Sequence, residues 1–201
     1  MRVTVIDYQA GNLTSVVKAL RHLNADVTVT DLPEVVAAAE RIILPGVGHF
    51  AATSRLDETG LTKAVRKRIA QGTPFLGICV GMQWLLRGSA EAPRQPGLGY
   101  FDGLCQRFPD GNEKVPHVGW DSILTSISSS RLLARLSEEE FVYFTHAYYV
   151  PAIENITSAV TNYILPFAAA VERDNVMGVQ FHPEKSAAAG LKILKNFLEF
   201  Q

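Results

Sequence analysis

The residues Pro74 to Leu86, PFLGICVGMQWLL, constrain this chain more than any other stretch. Apolar and small residues lead into Cys79, and Gly77 and Gly81 stand two positions to either side of it. A strand that turns sharply into a helix brings backbone against backbone, and a Cβ at the crossing points would collide. The pattern predicts a strand, a tight elbow with Cys79 at its tip, and a helix directly after. Such a turn lifts Sγ above the sheet edge and aims the first N–H groups of the helix at it. That arrangement favours thiolate over thiol and can hold a developing oxyanion. A buried cysteine on a core strand would satisfy the same residues, since free cysteine is among the most buried types. The rest of the chain has to decide between the two.

The flanking elements favour a sheet with the elbow at its working end. Val3 to Ile6 reads as a buried strand and Asp7 to Gly11 as the loop after it. Asn12 is placed as the N-cap of a helix bearing Leu13, Val16, Val17 and Leu20 at helical spacing. Val27 to Val29 is a second strand, Glu34 to Glu40 a short helix with Pro33 in its first turn, and Ile42 to Leu44 a third strand. A helix around Leu61 to Ala70, closed by Gly72, precedes the elbow strand. This alternation predicts an α/β fold: a mostly parallel, doubly wound central sheet with helices on both faces and right-handed crossovers. Sites in such sheets lie beyond the carboxyl ends of the strands, where Cys79 and Pro45-Gly46-Val47-Gly48 both fall.

Beyond Leu86 the pattern changes. Gly88 to Gly103 has no helical periodicity, and strands are expected near Leu104 to Phe108, Ser122 to Ile127, Phe141 to Thr145, Ser158 to Thr161 and Phe167 to Glu172. They form an antiparallel extension, with a short helix inside Ser128 to Glu140. A strand at Val176 to Phe181 and an amphipathic helix at Leu191 to Phe200 close the chain. No repeat or low-complexity linker interrupts it, so residues 1–201 are read as a single domain.

With 201 residues, 47% hydrophobic and 19% charged, the chain can bury a full α/β core and is not disordered. A formal net charge of −1 argues against nucleic acid or an anionic membrane surface as the main partner. No apolar run approaches the roughly 18 residues of a membrane span. Met1-Arg2 runs straight into the first strand, and two cysteines do not make a secreted disulfide framework, so a cytoplasmic protein is expected.

The second chemical signal is Gln180-Phe181-His182-Pro183-Glu184-Lys185-Ser186 at the end of the late strand. Residues i and i+2 of an extended backbone point the same way, so His182 and Glu184 can lie side by side. A cysteine nucleophile needs a base, and the base needs a group that holds its tautomer and stabilises imidazolium. His22, His49 and His117 carry no such neighbour and read as structural. Pro45 to Gly48 is either an ordinary tight turn or a mobile loop whose N–H groups complete an oxyanion hole, through exchange of backbone conformation at Gly46 and Gly48. No Lys-Ser/Thr pair follows that would make it a phosphate loop. Nothing has metal-ligand spacing, and nothing calls for a cofactor.

Taken together, LPGVGHF, LGICVGMQ and QFHPEKS resemble the class I (triad) glutamine amidotransferases. DYQAGNLTSVVKAL, KVPHVGWD and YFTHAYYV narrow the resemblance to the glutaminase subunits of imidazole glycerol phosphate synthases of histidine biosynthesis, over essentially the whole chain. The resemblance implies a triad of Cys79, His182 and Glu184 that hydrolyses L-glutamine. It implies an oxyanion hole from Val80 and, after loop movement, Val47 or Gly48, and substrate contacts at Gly48, Gln83, Ala147 and Tyr148. It also implies a heterodimer with a (β/α)-barrel cyclase subunit that receives the ammonia through a channel, with Asn12, Trp120, Tyr143, His146 and Lys185 at the partner face or channel mouth. Three positions depart from the family pattern: Gln9 in place of glycine, Asp121 in place of asparagine, and Ala147 in place of serine or threonine. Two other readings stay open on the residues alone: the glutaminase subunit of another synthase, such as that of vitamin B6 biosynthesis, and a non-catalytic partner-binding module.

Overall fold

In the computed structural model, which describes residues 1–10, 13–125 and 130–200, the short apolar runs of the first half become parallel strands joined by helices. β1 (Arg2–Ile6), α1 (Leu13–His22), β2 (Asp26–Thr30), α2 (Pro33–Ala37) and β3 (Ile42–Gly46) make the first windings. A 3-10 turn, Phe50–Thr53, and α3 (Ser54–Glu58) lead into α4 (Leu61–Ala70), β4 (Phe75–Cys79) and the single turn α5 (Val80–Gln83). The second half holds β5 (Gly88–Ser89), β6 (Leu104–Arg107), β7 (His117–Thr125), β8 (Glu139–His146), β9 (Tyr148–Tyr149), β10 (Thr157–Asn162), β11 (Pro166–Arg173) and β12 (Val176–Val179). A 3-10 turn, Pro183–Lys185, and α6 (Ala187–Glu199) follow.

Among the described residues these strands form a nine-stranded sheet in the order β2-β1-β3-β4-β12-β11-β10-β7-β8. The β2-β1-β3-β4-β12 half is parallel, and the pairs from β12 to β8 are antiparallel. β5, β6 and β9 make a small second sheet. The chain moves one way from β1 to β2 and the other way from β2 through β3 to β4. Right-handed crossovers therefore place α1 on one face and α2, α3 and α4 on the other. Every residue of β3, β4 and β12 is buried, as expected for inner parallel strands, whereas β2 at the edge exposes several. α1 turns Val16, Val17 and Leu20 inward, and α6 turns Ile193, Leu194, Phe197 and Leu198 inward. Among the described residues no helix is long and apolar enough to cross a membrane.

Several expectations change. β3 continues through Pro45 and Gly46, which pair with Ile78 and Cys79, so half of the expected turn is strand. The helix after the elbow is one turn, so its contribution at Cys79 is local N–H groups rather than a long macrodipole. No helix occupies residues 130–140; positions 126–129 lie outside the described residues. There the side chain of Ser130 and the backbone N–H groups of Arg131 and Leu132 donate to the carboxylate of Glu172, at 2.7 to 3.2 Å, which holds the segment as turns. β7 begins at His117, five residues earlier than the expected strand, because exposed Val118 and Trp120 hide its alternation. The turn at Phe50–Thr53 and α3 have no counterpart in the expectations, α2 stops at Ala37 instead of Glu40, and α6 starts at Ala187 instead of Leu191.

Candidate active site at the carboxyl ends of the central strands

The elbow has the backbone that its glycines require. Cys79 sits at φ +53° and ψ −108°, and it is only 3% exposed. A Cβ on Gly77 would lie 2.4 Å from the carbonyl oxygen of Gly81, and one on Gly81 would lie 1.9 Å from that of Leu44. Both glycines are therefore demanded by close backbone approach. Register with β3 puts Gly46 opposite Cys79. The two loop glycines differ in kind: Gly46 is wedged, with a Cβ there meeting Tyr8 Oη at 2.5 Å, while Gly48 has φ +96° and open space around it. Only Gly48 has the freedom expected of a hinge.

β12 runs parallel to β4 with Val179 opposite Ile78, which brings the residues after β12 to the same sheet end as Cys79. His182 Nδ1 lies 2.8 Å from Glu184 Oε1, and both side chains are buried. An ionised carboxylate only accepts, so Nδ1 carries the proton and Nε2 is the nitrogen left for Cys79. Nε2 is buried and makes no hydrogen bond of standard geometry. Burial alone would lower the pKa of His182, but its interactions with Cys79 and Glu184 outweigh that and raise it to about 9. The His182 backbone is pinned to β8: its N–H donates to the carbonyl of Tyr143 at 2.9 Å. Ser186 Oγ donates to the carbonyl of His182 at 2.6 Å and accepts from the N–H of Tyr143 at 3.0 Å.

Cys79 opens on a small cavity of ≈ 40 Å³ lined by Gly48, Val80 and Gln83 and by Thr145 to Tyr148. Val47 does not line it. Gln83 is buried with its Nε2 committed, donating to the carbonyl of Tyr148 at 2.8 Å and to Gln180 Oε1 at 3.2 Å. Ala147 presents a methyl group to the cavity and spends its carbonyl on the N–H of Phe108. Glu91 also lines this space, and its carboxylate accepts the N–H of Phe50 at 2.7 Å. Sequence reasoning missed Glu91, which sits in an Ala/Pro-rich stretch with no periodicity, and missed Gln180. The latter had a usable signal, a polar residue two positions before His182 at the end of an apolar strand. The expected extended run to Glu184 is not kept, because the strand stops at Val179 and Pro183–Lys185 form a 3-10 turn.

Three of the expected partner residues gather on one surface. The Trp120 and Tyr143 rings meet edge-on at 6.2 Å, and Lys185 Nζ stands 5.5 Å from the Tyr143 ring. Asn12 lies outside the described residues. His146 does not reach that surface: it is buried among the rings of Phe108, Phe144 and Phe167, with Nδ1 2.9 Å from the carbonyl of Tyr148. Burial lowers its pKa to about 3, so it is a neutral wall of the Cys79 cavity. Gln9 takes φ +63°, the region that makes glycine usual there, and Asp121 accepts from the N–H of Ser122 and lies 3.4 Å from His117 Nε2. His49 caps the turn at Phe50 by accepting from the N–H of Ala51. Cys79 and Cys105 are both free, and no group of three metal-ligating side chains occurs among the described residues.

The model of the family "Glutamine amidotransferase class-I" matches residues 4–200. A protein of Methanothermobacter thermautotrophicus named imidazole glycerol phosphate synthase subunit HisH is 43% identical over 198 residues, covering 98% of each chain. A protein of the same name from Bacteroides fragilis is 47% identical over 202 residues, covering 99% of this chain and all of its own. Among solved structures, a glutamine amidotransferase superposes with a TM-score of 0.77 at 20% identity, over 98% of this chain and 97% of that one. A chain of PurLQS from Thermotoga maritima gives 0.77 at 17% identity over the same shares. At those identities the structures speak for the fold alone. The family model and the full-length relatives together carry the conclusion: the chain belongs to the class I glutamine amidotransferases and, among them, to the HisH subunits of imidazole glycerol phosphate synthase.

Proposed function

We infer that this chain is the glutaminase subunit of an imidazole glycerol phosphate synthase in histidine biosynthesis, and that Cys79, His182 and Glu184 carry out the hydrolysis. The observation that supports the site most directly is the buried His182–Glu184 pair at the same sheet end as a cysteine in a strained elbow. The Cys79 thiolate attacks the side-chain amide carbon of glutamine, and the oxyanion that forms is held by the N–H of Val80. After Gly48 swings, an N–H from Val47 or Gly48 joins it. His182 Nε2–H gives its proton to the leaving nitrogen, ammonia departs, and a γ-glutamyl thioester remains. The neutral ring then takes a proton from water, whose oxygen attacks the thioester, and glutamate leaves with Cys79 restored. Glu184 holds Nδ1–H throughout. Glu91 supplies negative charge suited to the substrate's ammonium group, opposite the Ala147–Tyr148 segment.

Gly48, at φ +96° with open space around it, lines the cavity beside Cys79, which supports an off state that a movement of this loop would leave. A missing oxyanion donor costs on the order of 10²–10³ in rate, enough for tight control. The partner is a (β/α)-barrel cyclase in a heterodimer. Supporting this, Val118, Trp120, Leu124 and Phe141 stand exposed on one hairpin, β7–β8, an apolar surface of the kind that marks protein contacts. Tyr143 and Lys185 join that surface to the triad, since the Tyr143 carbonyl accepts from the N–H of His182 and Lys185 Nζ stands against the Tyr143 ring. In the complex, Cys79→Ala should lose glutamine-dependent synthesis and keep synthesis from ammonium salt; loss of both with the complex intact refutes the division of labour. Co-purification with a vitamin B6 synthase rather than a cyclase would refute the choice of partner.

A further inference from the structure

Gln180 is fully buried beyond the end of β12, and none of the steps above uses it. Its Nε2 lies 3.6 Å from Cys79 Sγ, and its Oε1 accepts from Gln83 Nε2 at 3.2 Å. Gln83 Nε2 in turn donates to the main-chain carbonyl of Tyr148 at 2.8 Å. An amide can be turned end for end, so which end faces the sulfur has to be argued from its partners. The Tyr148 carbonyl only accepts, so Gln83 must present its NH₂ there. The second N–H of that group then needs an acceptor, which is Gln180 Oε1. The NH₂ of Gln180 is left on the sulfur side. The reverse orientation would set two NH₂ groups face to face and press a carbonyl oxygen against Sγ, leaving donors unpaired in a dry site.

We propose that Gln180 is a nucleophile-positioning residue, whose side-chain N–H holds Cys79 Sγ and stabilises its thiolate as the last link of a chain running Tyr148–Gln83–Gln180–Cys79. Where burial strips water from the sulfur, this N–H takes over one of the hydrogen bonds that water would supply to the anion. The chain's polarity is imposed from its far end by a main-chain group, so the donor cannot rotate away without also breaking the hydrogen bond that Gln180 Oε1 accepts from Gln83.

The inference rests on the proposal above that Cys79 is the nucleophile. The test is the rate of Cys79 alkylation by iodoacetamide against pH, with the modified residue located by mass spectrometry, on the full chain bound to its cyclase. Gln180→Met keeps volume and removes the N–H; the alkylation midpoint should rise by about one pH unit, the size expected for losing one hydrogen bond to a charged group. Gln180→Glu keeps an acceptor for Gln83 but sets a carboxylate against Sγ, and should raise the midpoint further. A folded Gln180→Met protein with an unchanged midpoint overturns the proposal, even if its turnover falls. If neither variant folds, the native protein still answers through ¹⁵N-labelled glutamine. The Gln180 side-chain NH₂ resonance should move with pH in step with alkylation, and should not do so in Cys79→Ala. A resonance indifferent to Cys79 overturns the proposal. Glutamine-dependent synthesis surviving in Cys79→Ala would instead sink the nucleophile assignment, so the two failures are distinct.

Discussion

The strain at Cys79 can be weighed by comparing Cys79→Gly with Cys79→Ala. Both remove the sulfur, so both should abolish glutamine hydrolysis, and the difference between them isolates the backbone. At an ordinary position glycine is about 0.5–1 kcal/mol less stable than alanine. At φ +53° and ψ −108° the alanine Cβ keeps a conformational penalty of about 1–3 kcal/mol that glycine escapes. Opposing this are the extra freedom of glycine in the unfolded chain, about 0.4–1 kcal/mol, and the loss of one buried methyl, about 0.8 kcal/mol. The middle of these ranges leaves Cys79→Gly more stable by about 0.5 kcal/mol, reversing the usual sign. For a domain of this size that is about 1–2 °C in melting temperature. Urea unfolding followed by circular dichroism, with thermal melts as a second reading, measures it. A Cys79→Gly protein that melts about 1–4 °C below Cys79→Ala would show an unstrained elbow and refute the reasoning.

Gly81→Ala places a Cβ 1.9 Å from the Leu44 carbonyl oxygen, with backbone on both sides. Turnover should fall about 10²-fold or more and stability by about 1–3 kcal/mol, and full glutaminase activity would contradict the close approach. His182 has a folded pKa near 9, above its ordinary 6.5, so its stabilising contribution is complete below about pH 6.5 and disappears as pH rises through 9. NMR titration should find that pKa lower in Cys79→Ala, and an unchanged value would remove Cys79 from its surroundings. Gln9→Gly relieves a left-handed residue at φ +63° and should stabilise by about 0.5–1 kcal/mol after the entropy of glycine is subtracted, read as a higher urea midpoint. Trp120→Ala should weaken binding of the cyclase by at least about 30-fold in titration calorimetry, and native affinity would move the interface off the β7–β8 hairpin.

What the chain's own residues determined was everything governed by short-range geometry. Glycines at 77 and 81 specify an elbow because the collision they avoid is made by neighbours in sequence. His182 and Glu184 are close enough in sequence to pair, although the expected extended backbone is replaced by a 3-10 turn at Pro183–Lys185 that begins right after His182. The alternation of short apolar runs with helical stripes gives the parallel half of the sheet. What tertiary structure decided was wherever a partner came from far along the chain. Gly46 and Gly48 look alike in sequence, but pairing with β4 freezes the first between Tyr8 and Val80 and leaves the second free. The segment 130–140 has residues fit for a helix, but the carboxylate of Glu172, some 40 residues away, takes its N–H groups. His146 became a neutral wall because Phe108 and Phe167, from far along the chain, close around it beside Phe144 of its own strand. The direction of the Gln180 amide was settled by the carbonyl of Tyr148, because a hydrogen-bond chain takes its polarity from the one group in it that cannot be reversed.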